Sequence, residues 1–252
     1  MRPQPPNDNN HSRFLDIREF KLLSSIGEHE MTRVVGTTKL AGFVRDEFIY
    51  LSGDPATKIY FVKEGRVRVS ALTEDGREVL LDIIGPGEIF GEIGILQGPT
   101  RTNSAQALES SLLYEMCRAD FEDLLNRHPR VCLHMARCIG LRLKRYEGRV
   151  VNLIGKDVYS RVKEVLTDLV CRTQATGGRQ STKISLTQQD IANLVGASLQ
   201  ETARVLRELE RIDVVELRYR AIIVKAPERL QSATSSDDRR SLELQIAEAR
   251  AL

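Results

Sequence analysis

The 252-residue sequence is poor in the residue clusters that hold metals or carry out catalysis. Its four cysteines form no CxxC pair and no Cys/His set with zinc or iron–sulfur spacing, so they are predicted to be buried, reduced thiols. The four histidines form no constellation with a nucleophile or a metal partner, and no P-loop is present. The sequence therefore predicts neither an enzyme nor a sensor built on a cysteine cluster.

Long apolar runs and a strong net charge are also missing. No apolar run approaches the ~20 residues of a membrane helix, and the N-terminal text "MRPQPPNDNNHSR" has no apolar signal core. We therefore expect a cytoplasmic protein without a membrane partner. A net charge of +2 is too mild for a general nucleic-acid coat, so any basic surface must be local. With 41% apolar and 29% charged residues, the composition is that of a soluble globular protein, and its length suggests two domains.

Two kinds of secondary structure follow each other along the chain. From 39 to 115, short β-rich runs alternate with turn signals such as Gly85-Pro86-Gly87, which predicts a small antiparallel barrel or sandwich. After Pro129, "VCLHMARCIGLRLKRYEGRVVNLIGKD" predicts one helix about 40 Å long. Its apolar stripe favours a seam for a second helix, as in a dimer, and the alternative is a helix that packs on its own barrel. The stripe consists of Met135, Ile139, Tyr146, Val150 and Leu153.

The stretch "LTQQDIANLVGASLQETARVLRELE" has the spacing of a helix-turn-helix. Gly196 supplies the positive φ of the turn, while Ile191 and Val205 lie on faces that pack together. Thr187 and Ser198 are expected to cap the first and second helices. The outward face at the start of the second helix is then free to enter a DNA major groove.

The outward residues predict how DNA is read. Gln200 suits adenine and Arg204 suits guanine, and the "RYR" text at 218–220 forms the tip of a hairpin that can grip phosphate as a wing. Residues 158–230 hold 12 Lys/Arg against 9 Asp/Glu. The alternative is a pair of amphipathic helices with surface charges and no ligand. The predicted DNA-binding residues are Thr187, Gln189, Ser198, Leu199, Gln200, Arg204, Arg207, Arg218 and Arg220.

The stretch "FGEIGILQGPTRTNSA" from Phe90 to Ala105 predicts a nucleotide site. A glycine-rich turn that enters a short helix presents backbone N–H groups to an anion, and Arg101 adds a charged fork. Glu92, which can only accept hydrogen bonds when ionised, suits a sugar hydroxyl beside the anion. The alternative is that Glu92 favours the first turn of a helix and Arg101 is a solvated loop charge.

The same text resembles the phosphate-binding cassette of cyclic-nucleotide-binding domains, whose pattern is F-G-E-[LI]-[AS]-L…P-R-[AST]. From about 13 to 230 the chain resembles the cyclic-AMP receptor protein and FNR family of bacterial transcription regulators. The resemblance implies that Glu92 binds the ribose 2′-hydroxyl, that Arg101 and Thr102 bind the cyclic phosphate, and that Gly91 lends its backbone. The expected nucleotide-binding residues are Gly91, Glu92, Ile93, Arg101, Thr102, Asn103, Tyr146 and Glu147.

The sequence departs from the family pattern at three places. Asn103 stands where the family usually has Ala, and Tyr146 and Glu147 stand where a Thr-Ser pair meets the base. In the second helix, Leu199 and Gln200 replace the Arg and Glu of the text S-R-E-T-x-x-R. We therefore expect an altered DNA half-site and leave the identity of the base open.

By this resemblance the fold is α+β: an N-terminal double-stranded β-helix (β-roll), a long dimerisation helix and a C-terminal winged helix-turn-helix. The expected function is a homodimeric regulator that binds a pseudo-palindromic DNA operator under the control of cyclic AMP or cyclic GMP, with RNA polymerase as a further partner. The alternative is a family member with another effector or none. The predicted segments are a disordered tail at 1–12, the β-roll at 13–127, the helix at 128–157, the winged domain at 158–230 and a C-terminal tail at 231–252.

Overall fold

The computed structural model describes residues 10–76, 78–174 and 182–232. The chain divides into two compact units, Met1–Val150 and Val151–Leu252. Helix α1 (Asn10–Arg18) begins inside the tail predicted at 1–12, whereas residues 1–9 and 233–252 of the two predicted tails lie outside the described residues. In the part of the chain that the structure covers, no helix combines the length and apolarity needed to cross a bilayer.

Two antiparallel sheets form the centre of the first unit. One has the strand order β1-β8-β3-β6 and the other β2-β7-β4-β5. The strands are β1 (Thr38–Phe43), β2 (Phe48–Tyr50), β3 (Lys58–Glu64), β4 (Val67–Leu72), β5 (Glu78–Ile84), β6 (Ile89–Phe90), β7 (Ser104–Ala107) and β8 (Ser111–Cys117). The arrangement confirms the sandwich-like β domain predicted from the alternation of short strands and turns.

Strand β3 is buried on both faces because it lies between two cores. Alternate side chains of a strand point to opposite faces, and here Ile59 and Phe61 join one core while Tyr60 and Val62 join the other. The first core lies under helices α1, α2 (Glu28–Thr37) and α4 (Arg118–Arg127), with a 3-10 turn at Lys21–Leu23. The second core lies between the sheets and includes Phe90 of β6, which is followed by the short helix α3 (Glu92–Gln97); Ile95 of α3 belongs to the first core.

Helix α5 spans Pro129–Gly155, close to the bounds predicted from its sequence. Val131 and Met135 are buried in the first core, so the beginning of the helix packs on its own domain. The prediction that Met135 lies in a seam for a second helix is wrong, because the side chain fills the interior of its own unit. Further along, Ile139 and Tyr146 of the predicted stripe are half-buried, whereas Val150 is 56% exposed.

The second unit is a small α+β domain. Its elements are α6 (Val158–Gln174), β9 (Thr182–Ile184), α7 (Gln188–Val195), α8 (Leu199–Arg211), β10 (Val215–Arg218), β11 (Ala221–Val224) and α9 (Pro227–Ser232). The three strands form one antiparallel sheet in the order β10-β11-β9. Helix α8 buries Thr202, Val205 and Leu209 at spacings of three and four, which leaves the opposite face of the helix for another task. The α+β fold predicted from the sequence is therefore confirmed.

The four cysteines are free thiols, but the prediction that they are buried is wrong. Cys117, Cys132 and Cys171 are exposed, and Cys138 is half-buried. Cys117 lies at the junction of β8 and α4, where its sulfur caps the helix by accepting from the Asp120 backbone N–H. Its position is set by this local hydrogen bond rather than by apolar packing.

Candidate ligand site and nucleic-acid interface

The turn from β6 into α3 depends on Gly91. Its φ of +84° is left-handed, a conformation that L side chains rarely adopt. A Cβ at this position would lie 2.9 Å from Arg101 Nη1 and 3.3 Å from the Tyr60 ring. The glycine is therefore needed both for the backbone turn and for the close approach of Arg101.

Arg101 is 4% exposed and is not a solvated loop charge. Its Nη1 donates to the Gly91 carbonyl at 2.6 Å, its Nη2 donates to the Lys58 carbonyl, and its guanidinium carbon lies 4.2 Å from the centroid of the Tyr50 ring. Among the described residues, no carboxylate forms an ion pair with it. A buried guanidinium held only by neutral carbonyls and a ring face is electrostatically prepared for an anion.

An aromatic cluster supports Arg101. The Tyr60 and Phe90 rings stack with centroids 4.9 Å apart, and Tyr50 lies 5.9 Å from Tyr60. Burial raises the pKa of Tyr60 to about 12 and also raises the pKa of Tyr50, so both hydroxyls stay protonated at neutral pH. The Tyr50 hydroxyl donates to Asn103 Oδ1 at 3.1 Å. The asparagine that departs from the family pattern thus orients the ring beneath Arg101.

Glu92 is 2% exposed, and only one of its two carboxylate oxygens accepts a hydrogen bond from another side chain. Its Oε1 accepts a hydrogen bond from Arg142, whereas its buried Oε2 has no hydrogen-bond partner. Burial raises the pKa of Glu92, and the Arg142 guanidinium opposes that rise. Because an unsatisfied buried acceptor is unfavourable, Oε2 is suited to accept from a donor such as a hydroxyl.

Helix α5 contributes three arginines, Arg142, Arg145 and Arg149, which we call the arginine ladder. Arg142 bonds Glu92 and the Ile89 carbonyl, and Arg145 Nη2 donates to Asp82 Oδ2 at 3.0 Å. Arg149 donates to the Leu81 carbonyl. Sequence reasoning missed the ladder and its partner Asp82. The spacing of three and four in "RLKRYEGR" was the available signal, because it places the three arginines on one helix face.

The other predicted nucleotide-binding residues are less enclosed. Ile93 and Tyr146 are half-buried, and Thr102 and Glu147 are exposed. The Arg149 guanidinium lies 5.8 Å from the Tyr146 ring centroid, and burial followed by the Asp82 charge raises the pKa of Tyr146. The structure therefore brings Tyr146 to the arginine ladder and leaves Glu147 facing outward.

Two capping boxes define the helix-turn-helix. Thr187 and Asp190 satisfy each other's backbone N–H groups at the start of α7, and Ser198 and Glu201 do the same at the start of α8. Between them Gly196 adopts φ +61°, and a Cβ there would lie 2.6 Å from Leu153 Cδ2. The expected caps and turn are thus present.

Most of the residues predicted to contact DNA lie on the surface, whereas Thr187 and Arg220 are half-buried. Leu199 is 44% exposed, and Gln200, Arg204 and Arg207 are also exposed on the first turns of α8. Gln189 is exposed on α7, where its amide donates to Asn193 Oδ1 at 2.9 Å. These side chains are therefore exposed on the surface of the second unit.

The hairpin of β10 and β11 closes through Tyr219 and Arg220, and Arg220 has a left-handed φ of +52°. Arg218 is exposed and its Nε donates to Glu216 Oε1 at 2.6 Å. Tyr219 is 93% exposed at the tip, between the two arginines. The sequence pattern pointed to the arginines but not to this tyrosine.

Two family models match the two parts of the chain. The cyclic nucleotide-binding domain matches residues 42–128 and includes the turn at Gly91 and Arg101. The Crp-like helix-turn-helix domain matches residues 160–233 and includes α7, α8 and the hairpin.

Similar proteins are bacterial regulators. A CRP-like cAMP-activated global transcriptional regulator of Mycobacterium tuberculosis is 31% identical over 190 residues, which cover 75% of this chain and 84% of that protein. The cAMP-activated global transcriptional regulator CRP of Haemophilus influenzae is 26% identical over 69% of this chain and 78% of its own length.

Solved structures share the fold at lower identity. FixK2 from Bradyrhizobium japonicum is 23% identical with a TM-score of 0.68, and the match covers 79% of this chain and 99% of that one. The regulator CLP of Xanthomonas campestris is 24% identical with a TM-score of 0.66, with the same coverage.

Proposed function

Because the chain belongs to the cyclic-AMP receptor protein and FNR family of bacterial transcription regulators, we propose that a cyclic nucleotide bound in its β domain controls its binding to an operator. Members of this family are regulators rather than enzymes. The proposal assigns the nucleotide to the site around Glu92 and Arg101, and it assigns DNA reading to helix α8 and the hairpin that follows it. Such a regulator acts in the cytoplasm.

The observation that carries the nucleotide assignment is a pair of incomplete buried groups. Glu92 has one carboxylate oxygen without a partner, and Arg101 is buried without a carboxylate partner in the described parts of the chain. A ribose hydroxyl satisfies the first group and a cyclic phosphate satisfies the second. A ligand that carries both on one five-membered sugar is a nucleoside cyclic monophosphate.

We assign cyclic AMP as the effector, with cyclic GMP as the alternative. The relatives from Mycobacterium tuberculosis and Haemophilus influenzae are named as cAMP-activated regulators. The base would lie toward Tyr146, where the family's Thr-Ser pair is replaced by Tyr146 and Glu147. Because this replacement changes the donors and acceptors around the base, affinity for both nucleotides has to be measured.

The DNA-binding form is proposed to be a homodimer on a pseudo-palindromic operator, with RNA polymerase as a further partner. Leu143, Tyr146 and Val150 follow each other at spacings of three and four, which is the pattern of a coiled-coil seam. Leu143 and Val150 are exposed, so the stripe still has apolar area to bury. A two-fold dimer places two recognition helices about one DNA turn apart.

The central test uses Arg101→Gln. Selection from a random DNA library gives the operator, and fluorescence anisotropy then measures its binding with and without cyclic AMP or cyclic GMP. We expect the wild type to bind in a nucleotide-dependent manner and Arg101→Gln to lose that dependence while remaining a folded dimer. Arg33→Gln is the matched control, because Arg33 belongs to the same unit but is exposed and pairs with Asp123 at 3.0 Å. A normal response of Arg101→Gln to nucleotide contradicts the assignment.

The runner-up function is a regulator that binds DNA without an effector. Its supporting observation is that Glu92 already has a protein partner in Arg142. Operator binding by the wild type that is unchanged by cyclic AMP and cyclic GMP, together with calorimetry that shows no heat of binding, favours this second function.

A second binding-site selection tests the proposed contact between Gln200 and a DNA base. Gln200 is exposed on the first turn of α8 and is proposed to contact an adenine. Gln200→Ala should relax the preference at one base position by ~1–3 kcal/mol in a repeated selection. Uniform weakening at all positions instead identifies Gln200 as a phosphate contact.

A further inference from the structure

One short segment of the chain, residues 50–58, holds Arg101 from several directions. The segment runs from the end of β2 to the start of β3. Its main chain pairs with that of Arg101: the Gly53 N–H donates to the Arg101 carbonyl, and the Arg101 N–H donates to the Asp54 carbonyl, each at 2.8 Å. The carbonyl of its last residue, Lys58, accepts from the Arg101 guanidinium. The backbone of Arg101 and one edge of its side chain are therefore fixed by this segment.

The first residue of the segment, Tyr50, supports the face of the guanidinium. Its ring centroid lies 4.2 Å from the Arg101 guanidinium carbon, and the tyrosine is 6% exposed. The attraction between a cation and a ring face is strongest when both are shielded from water. The Tyr50 ring is inclined by 31° to the Tyr60 and Phe90 rings, and such ring contacts are not directional bonds. The orientation of the Tyr50 ring therefore depends on its hydroxyl.

The Tyr50 hydroxyl is anchored by Asn103. It donates to Asn103 Oδ1 at 3.1 Å, and the register of β2 and β7, which pairs Tyr50 with Ala105, brings the two side chains together. The alanine that the family usually has in place of Asn103 offers no side-chain acceptor. A chain of contacts thus leads from the Asn103 amide through the Tyr50 ring to the guanidinium of Arg101.

The guanidinium keeps one donor for a ligand. Its two terminal nitrogens donate to the carbonyls of Gly91 and Lys58, whereas its buried Nε has no hydrogen-bond partner in the described parts of the chain. A charge-assisted hydrogen bond to a phosphate oxygen depends on the direction of the donor as well as on its charge. The affinity for a phosphate therefore depends on how firmly the guanidinium of Arg101 is held in one position.

We propose that Tyr50 and Asn103 are a positioning pair for the effector site: the hydrogen bond between them fixes the ring on which the Arg101 guanidinium rests. The proposal rests on the assigned nucleotide site. It also changes the role expected of Asn103, from a residue that contacts the nucleotide to one that acts on the effector phosphate through Tyr50 and Arg101.

Tyr50→Phe, Asn103→Ala and the double variant test the pair in the full-length protein. Each single substitution removes one partner of the same hydrogen bond, so we expect calorimetry to show cyclic AMP binding about fivefold more weakly. The double variant should bind about as weakly as either single variant, because the second substitution has no bond left to break. If Asn103 instead contacts the effector itself, the two losses multiply to about 25-fold, and that result overturns the proposal.

The two phosphorothioate diastereomers of cyclic AMP separate positioning from a general loss of structure. Each has sulfur, a weaker acceptor than oxygen, in place of a different exocyclic phosphate oxygen. A guanidinium held in one position distinguishes them, so the wild type should bind them with different affinities, and both single variants should reduce that difference. A substitution that only destabilises the fold lowers both affinities by the same factor. Equal affinities in the wild type, or an unchanged ratio in the variants, would refute the positioning role.

Tyr114→Phe is the matched control for Tyr50→Phe. It removes another buried tyrosine hydroxyl, which donates to Asp16 Oδ2 at 2.8 Å, but Tyr114 lies in the first core and Tyr50 in the second. This control should leave the affinity for cyclic AMP and the ratio between the two diastereomers unchanged. Weakening equal to that of Tyr50→Phe would assign the effect to the loss of any buried hydroxyl and contradict the proposal.

The outcomes keep this inference apart from the assigned function. If the wild type binds neither cyclic AMP nor cyclic GMP, the nucleotide site itself is wrong, and the proposal falls with it. If the wild type binds one of them and Arg101→Gln does not, while Tyr50→Phe and Asn103→Ala bind it as the wild type does, the site stands and the positioning pair is refuted.

Discussion

The two units use charge in opposite ways. The first unit buries Asp82, Glu92 and Arg101, each at most 4% exposed, next to a ladder of arginines. The second unit keeps the arginines proposed to contact DNA, such as Arg204 and Arg218, on its surface. Buried charges are screened little by salt and need partners of good geometry to offset their desolvation. Exposed charges are hydrated and exchange counterions. The first arrangement suits a small ligand of one shape, and the second suits a polymer whose sequence can vary.

The difference extends to how each unit satisfies its polar groups. In the second unit, the buried Asp190 is used for a capping box that the local sequence provides. In the first unit, Glu92 Oε2 is left without a partner. The second unit also buries a hydroxyl without a hydrogen-bond partner, Thr202 Oγ1, so the contrast concerns the acids: the second unit uses its buried acid in a helix cap, and the first leaves a carboxylate oxygen open to a ligand.

The largest expected effect comes from Glu92→Gln. The amide keeps the shape but removes the charge that accepts from a ribose hydroxyl. A hydrogen bond to a charged group contributes about 1.5–3 kcal/mol, so we expect nucleotide affinity to fall by about 10- to 150-fold. Calorimetry measures the affinity for the nucleotide, and fluorescence anisotropy at saturating nucleotide measures the affinity for the operator. If Glu92→Gln lowers DNA affinity without nucleotide as much as it lowers nucleotide affinity, the substitution does not act on the first unit alone.

A glycine in each unit gives the next largest effect. Gly91 and Gly196 have φ values of +84° and +61°, so alanine at either position should cost about 1–3 kcal/mol of unfolding free energy. Gly91→Ala should also weaken nucleotide binding, though less than Glu92→Gln does, because its Cβ would lie 2.9 Å from Arg101 Nη1. Denaturant unfolding and calorimetry measure the two effects.

Gly36→Ala is the control for both glycines. Gly36 lies in α2, where a Cβ on this residue would meet nothing within 4 Å, and alanine favours helices over glycine by about 1 kcal/mol. This substitution should therefore stabilise the first unit and leave both ligands bound normally. Loss of nucleotide binding in Gly196→Ala but not in Gly91→Ala contradicts the assignment of the site.

The sequence predicted local features well and pairings between distant residues poorly. Caps at Thr187 and Ser198 and the turn at Gly196 depend on residues within a few positions, so a motif contains all the information. The contact between Asp82 and Arg145 joins residues 63 positions apart, and its existence depends on how α5 crosses the sheet. A stripe of apolar residues could not reveal which members are covered by their own domain, and Met135 was misassigned for that reason.

The smallest effect expected is on the salt dependence of DNA binding. Arg218 is exposed at the hairpin and is proposed to contact phosphate, so Arg218→Gln should reduce the slope of log affinity against log salt by about 0.9 and weaken all sequences alike. Arg211→Gln removes the same charge at the end of α8 and serves as the control.

Nucleotide affinity, measured over the same salt range, should change much less, because Glu92 and Arg101 are shielded from counterions. An equally steep salt dependence of nucleotide affinity would mean that the buried charges become exposed to solvent before the ligand enters. The contrast between buried charges in the first unit and exposed charges in the second would then not hold during binding.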